Sequence, residues 1–175
     1  MLRRRLGPIV LAAIGAILII GAAGWLAFST WLANPGAVAV PQAMAGLPLT
    51  QKSAGPEAVA EVSRLHGKEF PLISGAMATY GEGVVVLWVS GAPAGPMAAE
   101  MVRAMTDKIA DASAGSARSP FTPLGERQMN GRAVYELSGM GQRHFYFQSG
   151  NLVIWLAADE TIAENALDEA LQFYP

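Results

Sequence analysis

From Leu6 to Leu32 the chain runs for 27 residues without a charged side chain, and no other feature limits its possible folds as much. As a helix rising ~1.5 Å per residue, the run reaches roughly 40 Å, against a hydrocarbon core of ~30 Å. Backbone N–H and C=O groups in lipid must bond within the segment, which a lone stretch achieves only as a helix. Pro8 suits the first turn, where its missing N–H costs nothing. Trp25 and Trp31 stand at the far end, where indoles favour the membrane interface. The sequence therefore predicts a transmembrane anchor spanning about residues 8–28. A secretory signal peptide would carry an apolar region of only about 7–15 residues. The run exceeds that length, so the reading is an uncleaved anchor, although Ala37-Val38-Ala39 offers small residues of the kind found at cleavage sites.

Arg3, Arg4 and Arg5 precede the run, and the positive-inside rule then keeps the N-terminus in the cytoplasm and sends the rest across. The expected location is the plasma (inner) membrane, single-pass, with the bilayer as first partner. The chain has 12 basic and 14 acidic residues; setting aside the three arginines leaves nine bases against fourteen acids. An acidic body without a basic stripe argues against nucleic acid, whose phosphates demand clustered Lys and Arg. With no cysteine, disulfides, thiolate metal sites and cysteine nucleophiles are excluded.

The expected organisation is a cytoplasmic stub and anchor over 1–32, an extended connector over 33–55 and an extracytoplasmic domain over 56–175. The connector is rich in Pro and Gly and has no helical period, although 43–49 offers a segment able to dock on the domain. Pro56 opens a helix with Val59, Val62 and Leu65 on one stripe, ending near Gly67. Two apolar runs, 75–80 and 84–90, flank Gly81-Glu82-Gly83, a hairpin signal. Met97, Met101, Met105 and Ile109 recur at steps of four and predict an amphipathic helix over 96–112. A polar loop follows over 113–123. Asn130-Gly131 is a hairpin signal that pairs Leu124 with Leu137 and Glu126 with Tyr135. A further hairpin over 143–157 places Phe145, Phe147, Leu152, Ile154 and Leu156 on one face, and His144, Tyr146, Val153 and Trp155 on the other. Thr161 and Glu164 form a capping-box pattern before a terminal helix. The order α-β-β-α-β-β-β-β-α, with tight hairpins, predicts an α+β domain: an antiparallel sheet of about six strands with helices mainly on one face.

Little catalytic equipment is legible. The two histidines, His66 and His144, have no neighbouring nucleophile motif, and the Gly91–Gly95 stretch lacks the Lys-Ser/Thr of a phosphate loop. The carboxylates of Asp159-Glu160 and Asp168-Glu169 read as solvated helix ends. Met140 and His144 offer a thioether and an imidazole at short spacing, a pattern suited to Cu(I), whereas the helix methionines read as packing. His144, Tyr146 and Trp155 form an aromatic face that, left uncovered, would suit a protein partner. The sequence reading is thus a non-enzymatic, membrane-anchored module making protein–protein contacts, as an accessory or assembly subunit of a membrane complex or as a sensing module. No cofactor or small-molecule substrate is expected. The alternatives are an extracytoplasmic copper-binding or copper-delivery protein, and a regulatory domain like those of transmembrane anti-sigma factors. The latter is disfavoured by a stub of only about seven residues before the span.

Overall fold

The computed structural model describes residues 3–66, 70–112 and 120–175 and divides into two compact units, Met1–Asn34 and Pro35–Pro175. The first is a helix, α1 (Arg3–Ala33), whose stretch Pro8–Ala33 is long and apolar enough to cross a membrane. Trp25 and Trp31 are exposed on it, each 6.2 Å from the ring of Phe28. Arg3, Arg4 and Arg5 open the helix. Their side chains, those of Leu65 and His66, the helix end at Gly67 and the loop 113–119 lie outside the described residues.

The second unit is α+β. Its strands are β1 (Gly36–Ala37), β2 (Ala43–Met44), β3 (Leu47–Ala54), β4 (Ser74–Tyr80), β5 (Val85–Gly91), β6 (Phe121–Met129), β7 (Arg132–Gly139), β8 (Gln142–Ser149) and β9 (Leu152–Ala158). Its helices are α2 (Pro56–His66), α3 (Gly95–Asp111) and α4 (Ala163–Phe173). The nine strands form one sheet ordered β2-β3-β4-β5-β9-β8-β7-β6, and β1 pairs in parallel with the start of β4. All other pairings are antiparallel.

The three strands beyond the expected six come from the segment read as a connector, so the compact unit begins at Pro35 and not at residue 56. Backbone pairing and not side-chain period incorporates it: Gln51 to Ala54 lie opposite Thr79 to Ala76. Buried Val40 and Met44 pin the preceding residues. Two tyrosines hold its carbonyls, Tyr80 Oη donating to Pro41 O at 3.0 Å and Tyr174 Oη to Ala39 O at 2.8 Å. Burial pushes the Tyr80 phenol up to about 12.

The expected turn at Asn130-Gly131 forms, with φ of 51° and 75°. A second of the same kind at Met140-Gly141, with φ of 50° and 80°, joins β7 to β8, which the sequence did not announce because methionine is not a residue that favours positive φ. The β6–β7 register departs from expectation at one point. Glu126 does face Tyr135, but Leu137 faces Pro123, not Leu124, because a bulge intervenes. Pro123 cannot donate to the ladder, and Gly125 takes φ of 146°, so Leu124 is turned out to solvent. The bulge and the charges of Glu126 and Arg127 also blunt this edge strand against pairing with another chain. The capping box is absent: Ile162 is the N-cap of α4, without a side-chain bond. The Glu164 carboxylate meets Arg127 at 3.1 Å and Arg143 at 3.3 Å instead.

Helices cover both sheet faces. On one, α4 lays Ala163, Ala166, Leu167, Ala170 and Leu171 over Phe145, Phe147, Ile154 and Leu156, all 0–1% exposed. On the other lie α2 and α3. Gly75 admits α2, since a Cβ there would sit 2.9 Å from Val59 Cγ2.

Candidate functional site

The face beneath α2 and α3 carries a row of large side chains set by register. Met77 lies opposite Trp88, Trp88 opposite Trp155, Trp155 opposite Tyr146, and Tyr146 opposite Tyr135. Antiparallel neighbours bring such side chains within contact distance. The Tyr146 ring stacks on Trp155 at 5.3 Å and 9°, and on Tyr135 at 4.8 Å and 13°. The sequence parity had assigned Tyr146 and Trp155 to one face; the extension to Trp88 and Tyr135 required knowing which strands are neighbours.

The condition on which His144, Tyr146 and Trp155 would present a partner face, that it stay uncovered, is not met for the first two. His144 and Tyr146 are 2% and 1% exposed, and Trp155 is half-buried. The apolar stripe of α3 needs a floor, and this face supplies it: Val102 and Ala98 pack here with Leu137 and Val153. The Thr106 and Tyr146 hydroxyls are bonded at 2.9 Å. Phe121, at the start of β6, closes edge-on over His144 at 4.9 Å and Trp155 at 5.3 Å.

His144 is spent within this cluster. Trp155 Nε1–H donates to its Nδ1 at 3.2 Å, so Nδ1 is an acceptor, and Nε2 then carries the proton toward Gly139 O at 3.0 Å. Burial holds its pKa below the ordinary value, against the opposing pull of the Gly139 carbonyl. A neutral imidazole with both nitrogens engaged is neither a free base nor an open metal ligand. Burial likewise raises the Tyr146 phenol.

Between α2 and α3, above β5 and β9, an apolar cleft of about 450 Å³ remains. Trp88, Val153 and Trp155 belong to its floor strands; Met101, Met105 and Lys108 of α3 line one side, and Val62 of α2 with Leu72 the other. Ser90, buried on β5, and Phe121 also line it. Met140 and His144 both reach this cleft, so the two residues of the copper reading do converge with two helix methionines. Among the described residues, no group of three or more His, Asp or Glu is arranged to hold a metal ion. The volume and the mostly apolar, aromatic lining are those of a small-molecule pocket. Sequence reasoning missed the cleft because its sides come from helices about 40 residues apart whose spacing no local pattern encodes; Trp88 had been legible only as part of an interior strand.

No protein-family model matches this chain, and neither a curated protein nor a solved structure matches it.

Proposed function

We propose that this chain is a single-pass, membrane-anchored, non-enzymatic protein of the plasma (inner) membrane, whose extracytoplasmic α+β domain works by binding, as an accessory or sensing subunit of a membrane complex. The observation that carries the reading is the pairing of a charge-free helical stretch, Pro8–Ala33, with a domain in which His144, the one histidine whose side chain is described, is committed to internal bonds. The Arg3–Arg5 cluster supports a cytoplasmic N-terminus. Protease added to spheroplasts is expected to digest the domain while a reporter fused before Arg3 stays protected; digestion of the reporter alone reverses the orientation.

One observation favours a copper reading, the convergence of Met101, Met105, Met140 and His144 on the cleft. It requires breaking the Trp155–His144 bond, since a metal and an N–H cannot share Nδ1. Cu(I) titration of the full chain in detergent is expected to show no submicromolar site. A tight 1:1 site abolished by His144→Ala would put copper delivery first.

A further inference from the structure

We propose that His144, Trp155 and Phe121 form an acid-released latch, in which protonation of His144 detaches Trp155, loosens Phe121 and opens the aromatic floor of the α2–α3 cleft. Such a latch deepens the binding-module reading, on which it rests only for the purpose of the opened face; its test needs no partner, so either can fail alone. Three rings are tied together at this point. His144 holds Trp155 of β9 at Nδ1 and the end of β7 at Gly139 O, by bonds of 3.2 and 3.0 Å. Phe121 pairs with that same Gly139 across the β6–β7 ladder and lies edge-on over both His144 and Trp155. The fit is close, since a Cβ at Gly139 would sit 2.5 Å from Pro120 O and 2.6 Å from Phe121 Cδ1. All three rings line the cleft, so their arrangement sets how far it opens.

Proton chemistry makes the tie reversible. Nε2 already carries a proton, so a second one, taken from solvent, enters only at Nδ1, the acceptor of the Trp155 N–H. The imidazolium is a donor at both nitrogens. Two N–H groups cannot share the line between Nδ1 and Trp155 Nε1, so that bond breaks while the one to Gly139 O becomes charge-assisted.

The groups around the ring do not take up the new charge. The floor strands β5 and β9 carry no ionisable side chain. The helix α2 reaches the cleft through Val62 and Ser63, and α3 brings Lys108, a like charge. On β6, Glu126 stands opposite Tyr135, and Tyr135 opposite Tyr146, two residues along from the Leu137–His144 pair. Arg143 and Glu136 pair with each other on the opposite face, beside Phe145. Past the end of β9, Asp159 accepts from Gln142 at 3.1 Å. Among the described residues, then, no carboxylate meets His144, and a buried cation without one is costly. Burial accordingly holds the His144 pKa below 6.5. The closed form is fully favoured above 6.5 and gives way as pH falls toward its own lower value.

The full chain carrying Trp25→Phe, Trp31→Phe and Trp88→Phe, reconstituted in lipid nanodiscs, keeps Trp155 as its single indole. Acrylamide quenching of its fluorescence would be followed from about pH 7.5 to about pH 4.5, beside far-ultraviolet circular dichroism. Quenching is expected to rise below 6.5, the open fraction growing about tenfold per pH unit while it is small, with the circular dichroism unchanged. His144→Gln, whose amide oxygen accepts from the Trp155 N–H and does not titrate, should stay closed throughout. Phe121→Ala should be quenched more than its parent already at neutral pH. In the wild-type chain the Trp155 indole N–H resonance should shift and exchange faster with solvent over the same pH range, a measurement that needs no variant to fold. Quenching and resonance indifferent to pH would overturn the proposal. So would a rise matched in His144→Gln, or one accompanied by loss of secondary structure, because acid would then act elsewhere or unfold the domain. A Phe121→Ala chain no more quenched than its parent would also overturn it, since the ring would then latch nothing.

Discussion

The β8–β9 hairpin shows two different solutions on its two faces. Toward α4, Phe145, Phe147, Ile154 and Leu156 are fully buried, because α4 presents alanines that permit close approach. Toward α2 and α3, Tyr146 is equally buried but Trp155 and Trp88 are only partly covered, because long methionines and two separate helices leave a cleft. The first face reads as a stability core of fully buried side chains. The second combines a packed end, under Thr106 and Phe121, with an open one. Adjacent residues on one strand, such as Tyr146 and Phe147, therefore face different surroundings, and burial alone does not separate them.

The sharpest test of this contrast is Phe147→Ala, expected to cost about 3–5 kcal/mol in chemical denaturation, through lost burial and a residual cavity. Trp155→Ala is expected to cost less, about 2 kcal/mol, since the ring is half-exposed although its stacking and its bond to His144 are lost. Equal losses would erase the difference between the faces.

A third test uses pH. Because burial holds the folded-state pKa of His144 below its ordinary 6.5, the neutral ring contributes stability that is fully present above 6.5 and is lost as pH falls toward the folded value. The melting temperature of wild type should thus decline on acidification more than that of His144→Gln; parallel declines would show that the ring is not held neutral. The smallest effect is expected at Glu164→Ala, about 0.5 kcal/mol or less. Its carboxylate is half-exposed and Arg143 keeps Glu136 as a partner. A loss above about 2 kcal/mol would move this ion-pair group into the α4-side core.

Local chemistry made much of the fold legible. The long apolar helix α1 follows from the uncharged run, α2 and α3 from apolar period, and the Asn130-Gly131 turn from its demand for positive φ. The two faces of β8 and β9 follow from alternation, and the observed pairs Phe147–Ile154 and Tyr146–Trp155 keep that parity. Each rests on neighbours within a few residues, where covalent geometry fixes side-chain direction.

What the sequence could not supply was cover and adjacency. Over 36–54, β1 and β3 are held by hydrogen bonds to β4, β2 by pairing with β3, and the segment between β1 and β2 by two distant tyrosine hydroxyls, and such bonds leave no hydrophobic period. The loss of the capping box at Thr161 follows from Arg127 and Arg143 reaching Glu164 across the fold. Whether His144 and Tyr146 meet water, and whether Trp88 and Trp155 floor a cleft, depends on where α2 and α3 settle on the sheet. Side-chain direction along a strand is a local property fixed by the backbone. The occupancy of the space above it is a property of the whole packing, which only the tertiary structure decides.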